Sequence, residues 1–340
     1  MTFTTVLYIL IALVFFGILI LGHEFGHFIL AKINGVLVEE FSIGMGPKLF
    51  SIKGKETVYS IRALPIGGYV KMLGEQEKVD NERAFTNLSK PRRLSIIAAG
   101  PLMNLVLAIL FFALYGGNIG VQTNIIDSVI DNSPAYEAKL EAGDEIIRIN
   151  DTKINTFEGF ITEIGESNGE PLNIVVSRNG ENINLELTPE KAEDDRYVIG
   201  VYTKLADRGF ASSLSYGFKT TGFMFQQTFK FFGTLFQGKV KASDFGGPVS
   251  IFRISSAAAA AGIWNLVYLM GAFSVQLAIF NIIPFPALDG GYIFLYIFEI
   301  ITGKEVDDNK IGMINYFGFI FLMILMVLVT IKDILYPIKF

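Results

Sequence analysis

The stretch VLYILIALVFFGILILGHEFGH, residues 6–27, joins an apolar helix to three polar side chains. No charged residue occurs from Phe3 to Gly22, and about 20 such residues cross the hydrocarbon core of a bilayer. The run lacks a basic region before it and a small-residue cleavage site after it, so we expect a retained helix rather than a signal peptide. His23, Glu24 and His27 follow within the same helical sequence. An ionisable group inside a span costs about 2.5–3.5 kcal/mol on insertion scales, which indicates that these side chains have a function.

The composition predicts a multi-span membrane protein. The 340 residues are 51% hydrophobic and only 18% charged, which is too apolar for one soluble domain of this length. Four segments are long and apolar enough to span, at residues 1–31, 94–115, 262–300 and 311–333. The chain has no cysteine, which excludes disulfides, zinc–thiolate sites and a cysteine nucleophile. A net charge of -5 gives no reason to expect nucleic acid as a partner.

The charge distribution predicts the orientation in the membrane. Residues 32–93 carry eleven Lys and Arg, whereas residues 116–208 carry eight basic and eighteen acidic residues. Basic residues favour the cytoplasmic side. We therefore expect residues 32–93 to be cytoplasmic or re-entrant, and both termini to be extracytoplasmic.

Residues 118–206 differ in kind, because they are charged and rich in turn residues between short β-type runs. The piece NSPAYEAKLEAGDEIIRIN, residues 132–150, resembles the PDZ domains of bacterial membrane and periplasmic proteases. The matching residues are Pro134, Ala138, Leu140, Gly143, Asp144, Ile146, Ile149 and Asn150. We expect an extracytoplasmic PDZ domain here. For residues 207–261 we expect helices on the outer membrane surface, with an ordinary linker of partial helix as the alternative.

The HEFGH segment has the spacing of a metal site. Positions i and i+4 share one face of a helix, so His23 and His27 can hold one zinc ion together, and Glu24 can act as general base toward a water molecule beside it. These are the only two histidines in the chain. The alternative is that both are structural. Apolar residues cover every face of the preceding turns, so the zinc should lie within the membrane, about 6–8 Å along the helix from Lys32 at 1.5 Å per residue.

A second polar segment, NIIPFPALDGG at residues 281–291, interrupts the third span. Pro284, Pro286 and the pair Gly290-Gly291 should break the helix, and unwound backbone at membrane depth is tolerated only inside protein or beside a cavity. Asp289 lies in this break and is a candidate third ligand, since catalytic zinc usually has three protein ligands. The alternative is that Asp289 caps a helix.

Together HEFGH, AAGPLMN (residues 98–104), the PDZ-like domain and NIIPFPALDGG resemble the site-2 proteases, which are intramembrane zinc metalloproteases. The match is to the bacterial group with four spans and one extracytoplasmic PDZ domain. The resemblance implies one Zn²⁺ per chain held by His23, His27 and Asp289, with Glu24 as catalytic base. It also implies that Asn281, with the nearby Pro284, helps to hold the substrate, and that the protein lies in the bacterial plasma membrane.

The stretch YSIRALPIGGYVKMLG, residues 59–74, also matches this family. Its two strand-forming runs flank residues 65–68, and we expect a membrane-associated β-hairpin element. An exposed strand edge near Gly67, Gly68 and Tyr69 could hold an unwound substrate by β-addition. The alternative is a cytoplasmic hairpin with no contact to substrate.

The predicted fold is a polytopic α-helical membrane protein with this hairpin and an α+β PDZ domain. The predicted function is cleavage of transmembrane segments in single-span proteins, such as anti-sigma factors or signal-peptide remnants, within the lipid bilayer. The alternative function is a non-catalytic scaffold or transporter subunit with a PDZ binding module. Zinc content of the purified protein separates the two.

Overall fold

The computed structural model describes residues 3–75, 77, 79–193, 195–240 and 246–336. The chain divides into two compact units, one formed by Met1–Ala108 with Thr228–Phe340 and the other by Ile109–Gln227. The helices are α1 Phe3–Ile33, α2 Lys90–Ile119, α3 Pro134–Glu137, α4 Phe157–Glu166, α5 Phe210–Phe236, α6 Pro248–Ala261, α7 Ile263–Ile282, α8 Asp289–Thr302 and α9 Asp308–Leu335. The strands are β1 Val38–Lys53, β2 Val58–Met72, β3 Gln122–Val129, β4 Glu145–Ile149, β5 Thr152–Lys153, β6 Leu172–Arg178, β7 Glu181–Leu187, β8 Glu190–Lys191, β9 Tyr197–Val198 and β10 Val201–Leu205.

Four stretches of helix in the described residues are long and apolar enough to cross a membrane. They are Leu13–Ile33, Lys90–Ile119, Ile263–Ile282 and Asn309–Leu335. Which side of the membrane each helix end faces stays a prediction. The same holds for both termini, and residues 1–2 and 337–340 lie outside the described residues.

Close backbone contact joins α1 to α2. A Cβ added at Gly26 would lie 2.3 Å from the carbonyl oxygen of Ala99, so only glycine permits this approach. One turn earlier, Gly22 receives the side chain of Leu107 in the same way. The two helices therefore meet directly at the HEFGH segment.

Helix α6 packs against α1, α7 and α9. Its N-terminus is capped by Asp333 of α9, whose Oδ2 accepts hydrogen bonds from the backbone N–H of Gly247 (2.8 Å) and of Ser250 (2.9 Å). Asp333 is fully buried, and a buried carboxylate requires such donors. Within residues 207–261, α5 and α6 form the helices that were predicted. Their position on the membrane surface is not tested by these contacts and stays a prediction.

The break in the third apolar segment covers residues 283–288, between α7 and α8. Ala287 has φ +70°, a conformation that is unfavourable for a residue with a side chain. Asn315 of α9 stabilises it, because its Oδ1 accepts a hydrogen bond from the Ala287 N–H at 3.1 Å. Gly318 lies against Pro286, where an added Cβ would be 2.9 Å from the Pro286 carbonyl oxygen. Helix α9 thus holds the loop that precedes Asp289.

The predicted hairpin between residues 58–61 and 69–72 is wrong in its pairing. Both segments pair with β1 and not with each other, because residues 40–43 lie between them: Phe41 is opposite Val70 on one side and Tyr59 on the other. The distal part of β1, residues 48–53, then pairs with 58–62. Local turn chemistry at residues 65–68 suggested a simple hairpin, whereas the long β1 strand supplies a better partner for both runs.

The PDZ-like domain has its own core. Its main sheet has the order β10-β3-β4-β6-β7, with β5 paired to β4. The core contains Ile126, Ile146, Ile149, Phe160, Ile174 and Val176, all buried. Asp144, fully buried, accepts hydrogen bonds from Arg178 Nε at 2.7 Å and Nη2 at 2.8 Å. Burial by itself raises the pKa of Asp144, but the hydrogen bonds from Arg178 and from the Glu141 N–H outweigh it and hold that pKa below its usual value.

Candidate metal centre

Two imidazoles of α1 face one point. His23 and His27 are one helical turn apart, and their Nε2 atoms lie 3.2 Å from each other. His27 is buried, and its Nδ1 lies 2.9 Å from the carbonyl oxygen of Ile96 on α2. A carbonyl oxygen can only accept, so Nδ1 of His27 carries the proton and Nε2 has a free lone pair.

Asp289 completes the group from a distant part of the chain. Its Oδ2 lies 3.0 Å from Nε2 of His23 and 3.4 Å from Nε2 of His27. Three ligand atoms around a tetrahedral zinc ion, with bonds of 2.0–2.1 Å, are about 3.3 Å apart. The observed separations match that value. Oδ2 is buried without a hydrogen-bond donor among the described residues, so the donor set fits a zinc ion that would satisfy it.

The capping alternative for Asp289 does not describe its position. The N-cap of α8 is Leu288, and Asp289 is the first helical residue. Its side chain is directed to the histidines instead.

Gly100 of α2 provides the space for the two imidazoles. A Cβ at this position would lie 2.3 Å from Nε2 and 2.6 Å from Cε1 of His27, and 2.8 Å from Cε1 of His23. Ordinary contact between such atoms begins near 3.4 Å. A side chain at Gly100 would therefore occupy the space around the Nε2 atoms where a metal would bind.

Glu24 lies beside the same group and against strand β2. Its Cγ would be 3.3 Å from a Cβ added at Gly68 of β2. The arrangement can bind one metal ion, place a carboxylate next to it and present backbone groups of β2 to a third molecule. These are the parts that a metallopeptidase needs.

A profile of peptidase family M50 matches residues 11–325 of the 340. The chain belongs to peptidase family M50. It is 47% identical over 334 residues to a candidate zinc metalloprotease of Clostridium acetobutylicum, covering 98% of each chain. It is 30% identical, over an alignment 408 positions long including gaps, to the regulator of sigma-W protease RasP of Bacillus subtilis, covering 95% of this chain and 97% of RasP. The crystal structure of a PDZ domain from an SdrC-like protein of Listeria monocytogenes is 22% identical, with TM-score 0.22, over 25% of this chain and 92% of that one.

M50 membership makes this chain an integral membrane protein and a zinc metalloprotease of the site-2 type. It confirms the family expected from HEFGH and NIIPFPALDGG, and it favours the enzyme over the non-catalytic scaffold.

The residues predicted to bind substrate lie in two places. Gly67, Gly68 and Tyr69 belong to β2, and Gly68 lies beside Glu24. Asn281, at the end of α7, turns its amide back to the carbonyl oxygen of Leu277 at 3.0 Å. Pro284 lines an apolar cavity of about 350 Å³ next to α8 and α9.

The side chain of Tyr69 belongs to a polar cluster within the sheet. Its hydroxyl accepts a hydrogen bond from Arg62, and Glu40 accepts from Arg62 at 3.0 Å and from Ser60 at 2.5 Å. Burial raises the pKa of Glu40, but these bonds, with one from Tyr69 and a contact to Lys48, lower it to about 2. The hydroxyl of Tyr69 is therefore engaged within this cluster.

Sequence reasoning assigned no role to three groups that surround the histidines: the Ile96 carbonyl, Gly100 and Asn104. The AAGPLMN segment matched the family as a motif. A signal was present, because Asn104 is a polar residue in an apolar span and such residues usually face the protein interior. Its side-chain nitrogen lies 3.2 Å from Nδ1 of His23.

Proposed function

We propose that this chain is an intramembrane endopeptidase in which His23, His27 and Asp289 hold one Zn²⁺ per chain and Glu24 is the catalytic base. The observation that supports it most is the convergence of two imidazoles and a carboxylate at 3.0–3.4 Å. They meet on a helix whose preceding turns are apolar on every side, so the chemistry would take place at membrane depth.

The residues divide the hydrolysis between them. Zinc supplies Lewis-acid activation of a water molecule and of the scissile carbonyl. Glu24 would remove a proton from the attacking water with its carboxylate oxygen as the new C–O bond forms. It would then deliver that proton to the amide nitrogen of the leaving segment, so that the C–N bond breaks and an amine leaves.

Strand β2 is the candidate binding element for the substrate backbone. Residues 68–72 pair with β1 on one edge, and no described strand pairs with their other edge. A transmembrane helix hides its peptide bonds in i to i−4 hydrogen bonds, so it must unwind before cleavage. The free edge beside Glu24 can hold such an unwound segment by β-addition.

The substrate class follows from this site. A backbone-binding edge at membrane depth suits the transmembrane segment of a single-span protein. RasP is named for regulation of sigma-W, and for this chain we include anti-sigma factors and signal-peptide remnants among the substrates, in regulated intramembrane proteolysis. The family supports the bacterial plasma membrane as the setting. The charge distribution supports an extracytoplasmic position for both termini and the PDZ-like domain.

Comparison of membrane proteomes tests this proposal. Cells with Glu24→Gln should accumulate short single-span stubs that cells with the native chain lack, while the purified variant keeps its zinc because all three ligand side chains remain. Glu82→Gln, a change at an exposed carboxylate in the segment after β2, is the matched control and should leave the stubs at native levels. Normal turnover of the stubs by Glu24→Gln would remove Glu24 from the mechanism.

A further inference from the structure

Asn104 lies behind His23 and is fully buried within α2. We propose that Asn104 is a positioning residue: its side-chain oxygen accepts a hydrogen bond from Nδ1–H of His23 and so keeps the Nε2 lone pair directed at the metal. This inference rests on the proposed function in one respect, the assignment of His23 as a ligand.

The second histidine shows what such a partner does. Nδ1 of His27 donates to the Ile96 carbonyl at 2.9 Å, which sets both the ring orientation and the tautomer. A zinc-binding imidazole generally donates its other N–H to an oxygen in this way. His23 needs the same kind of acceptor, and the Asn104 amide is the group that the structure gives at its Nδ1.

The orientation of the amide follows from this requirement. The structure has the amide nitrogen at 3.2 Å from Nδ1, and the amide oxygen is buried with no partner among the described residues. A half-turn about the Cβ–Cγ bond exchanges the two atoms with almost no change of shape. It breaks no other hydrogen bond of the described chain. With zinc on Nε2, Nδ1 must carry a proton, so the oxygen has to face it.

The backbone around Asn104 is held in place. Ser274 of α7 is fully buried, and its Oγ donates to the Asn104 carbonyl oxygen at 2.8 Å. Asn104 is also one turn beyond Gly100, so both lie on the same face of α2. That face thus supplies first the space for the imidazoles and then the acceptor for one of them. Because Asn104 is fully buried, it acts on the reaction through His23 and not by touching the substrate.

Metal affinity of the full-length protein in detergent tests this role, with Zn²⁺ bound in competition with a chelator. Asn104→Leu should weaken zinc binding about 10- to 100-fold, the usual effect of losing such a partner, and should shift the visible bands of the Co²⁺-substituted protein. Asn104→Asp should restore affinity to within a few-fold, because a carboxylate oxygen accepts the same bond. If Asn104→Leu does not fold, Asn104→Ala removes the amide without a large side chain.

Ser274→Ala is the matched control, since it removes a hydrogen bond to the backbone of Asn104 and leaves the amide. It should bind Zn²⁺ like the native chain, and an equal loss of affinity would show that packing of α2, not the amide, is responsible. Unchanged zinc affinity in Asn104→Leu or in Asn104→Ala, with or without lost cleavage, would also overturn the positioning role. A separate His23→Ala variant that kept full affinity would instead refute the ligand assignment.

Discussion

The glycine at position 100 offers the sharpest test of the metal centre. In Gly100→Ala, the new methyl carbon would lie 2.3 Å from Nε2 of His27, about 1.1 Å inside the contact distance of about 3.4 Å. Retreat of the α2 backbone by that amount would separate Ala99 from Gly26 and stretch the hydrogen bond from Nδ1 of His27 to the Ile96 carbonyl oxygen, which holds the imidazole ring. The imidazole must therefore move about 1 Å, several times the tolerance of about 0.2 Å for a zinc–ligand bond. We expect zinc affinity to fall more than about 100-fold, beyond the range for outer-shell changes.

The assay is zinc retention by the purified full-length protein against a graded series of chelator concentrations. Gly17→Ala is the control, since it adds the same methyl group to α1 at a site with no atom within 4 Å, and alanine favours helix over glycine. Gly17→Ala should keep native zinc affinity and cleavage. Native zinc affinity in Gly100→Ala would show that no metal binds between the imidazoles, and the proposed centre would have to be abandoned.

Three further outcomes are expected. Asp289→Asn should bind zinc more weakly in the chelator assay and should also lose cleavage, because a neutral amide is a weaker ligand than a carboxylate. Full zinc affinity in this variant would exclude Asp289 from the ligand set. Asn315→Leu removes the acceptor for the Ala287 N–H, so the loop before Asp289 should loosen and zinc should dissociate about 10-fold faster, whereas an unchanged dissociation rate would contradict the role of α9. The pKa of Asp144 is lower in the folded domain than its usual value of about 3.9. The ionised Asp144 carboxylate therefore contributes its full stabilisation above about pH 3.9, and this stabilisation is lost as the pH falls through the pKa of the folded state. The protection factors for hydrogen exchange in β4 and β6, which are corrected for the intrinsic slowing of exchange in acid, should then fall in acid for the native chain. Arg178→Gln, already lacking the ion pair, should show a smaller fall, and equal falls would refute the linkage.

Short stretches of sequence were sufficient to predict the features that depend only on neighbouring residues. The spacing of His23 and His27 fixes their shared face because a helix repeats every 3.6 residues. Pro284 and Pro286 interrupt the helix as predicted, and the break between α7 and α8 occurs there, whereas Gly290 and Gly291, which were also expected to break it, lie in the first turn of α8. Each of these features depends on fewer than about a dozen consecutive residues, which is the range over which backbone preference and periodicity act.

The β segment shows where this reasoning fails. Residues 58–61 and 69–72 both favour strands, and the turn residues between them suggested a direct pair. Strands pair through backbone hydrogen bonds, and the side chains of a strand do not specify which other strand it will pair with. Here β1 pairs with both segments and lies between them. The presence of two strands was therefore predictable, but the partner of each was not.

The sequence by itself determined the apolar spans, the residue types that can bind zinc and the family resemblance carried by HEFGH and NIIPFPALDGG, because these depend on composition and short spacing. Only the tertiary structure decided which groups surround them. Asn104 is 81 positions from His23, and the loop at Ala287 depends on Asn315 of another helix. Such contacts form when helices pack at a distance set by glycines such as Gly26 and Gly100. Packing between distant segments depends on the shape of the whole bundle, and no local stretch of sequence carries it.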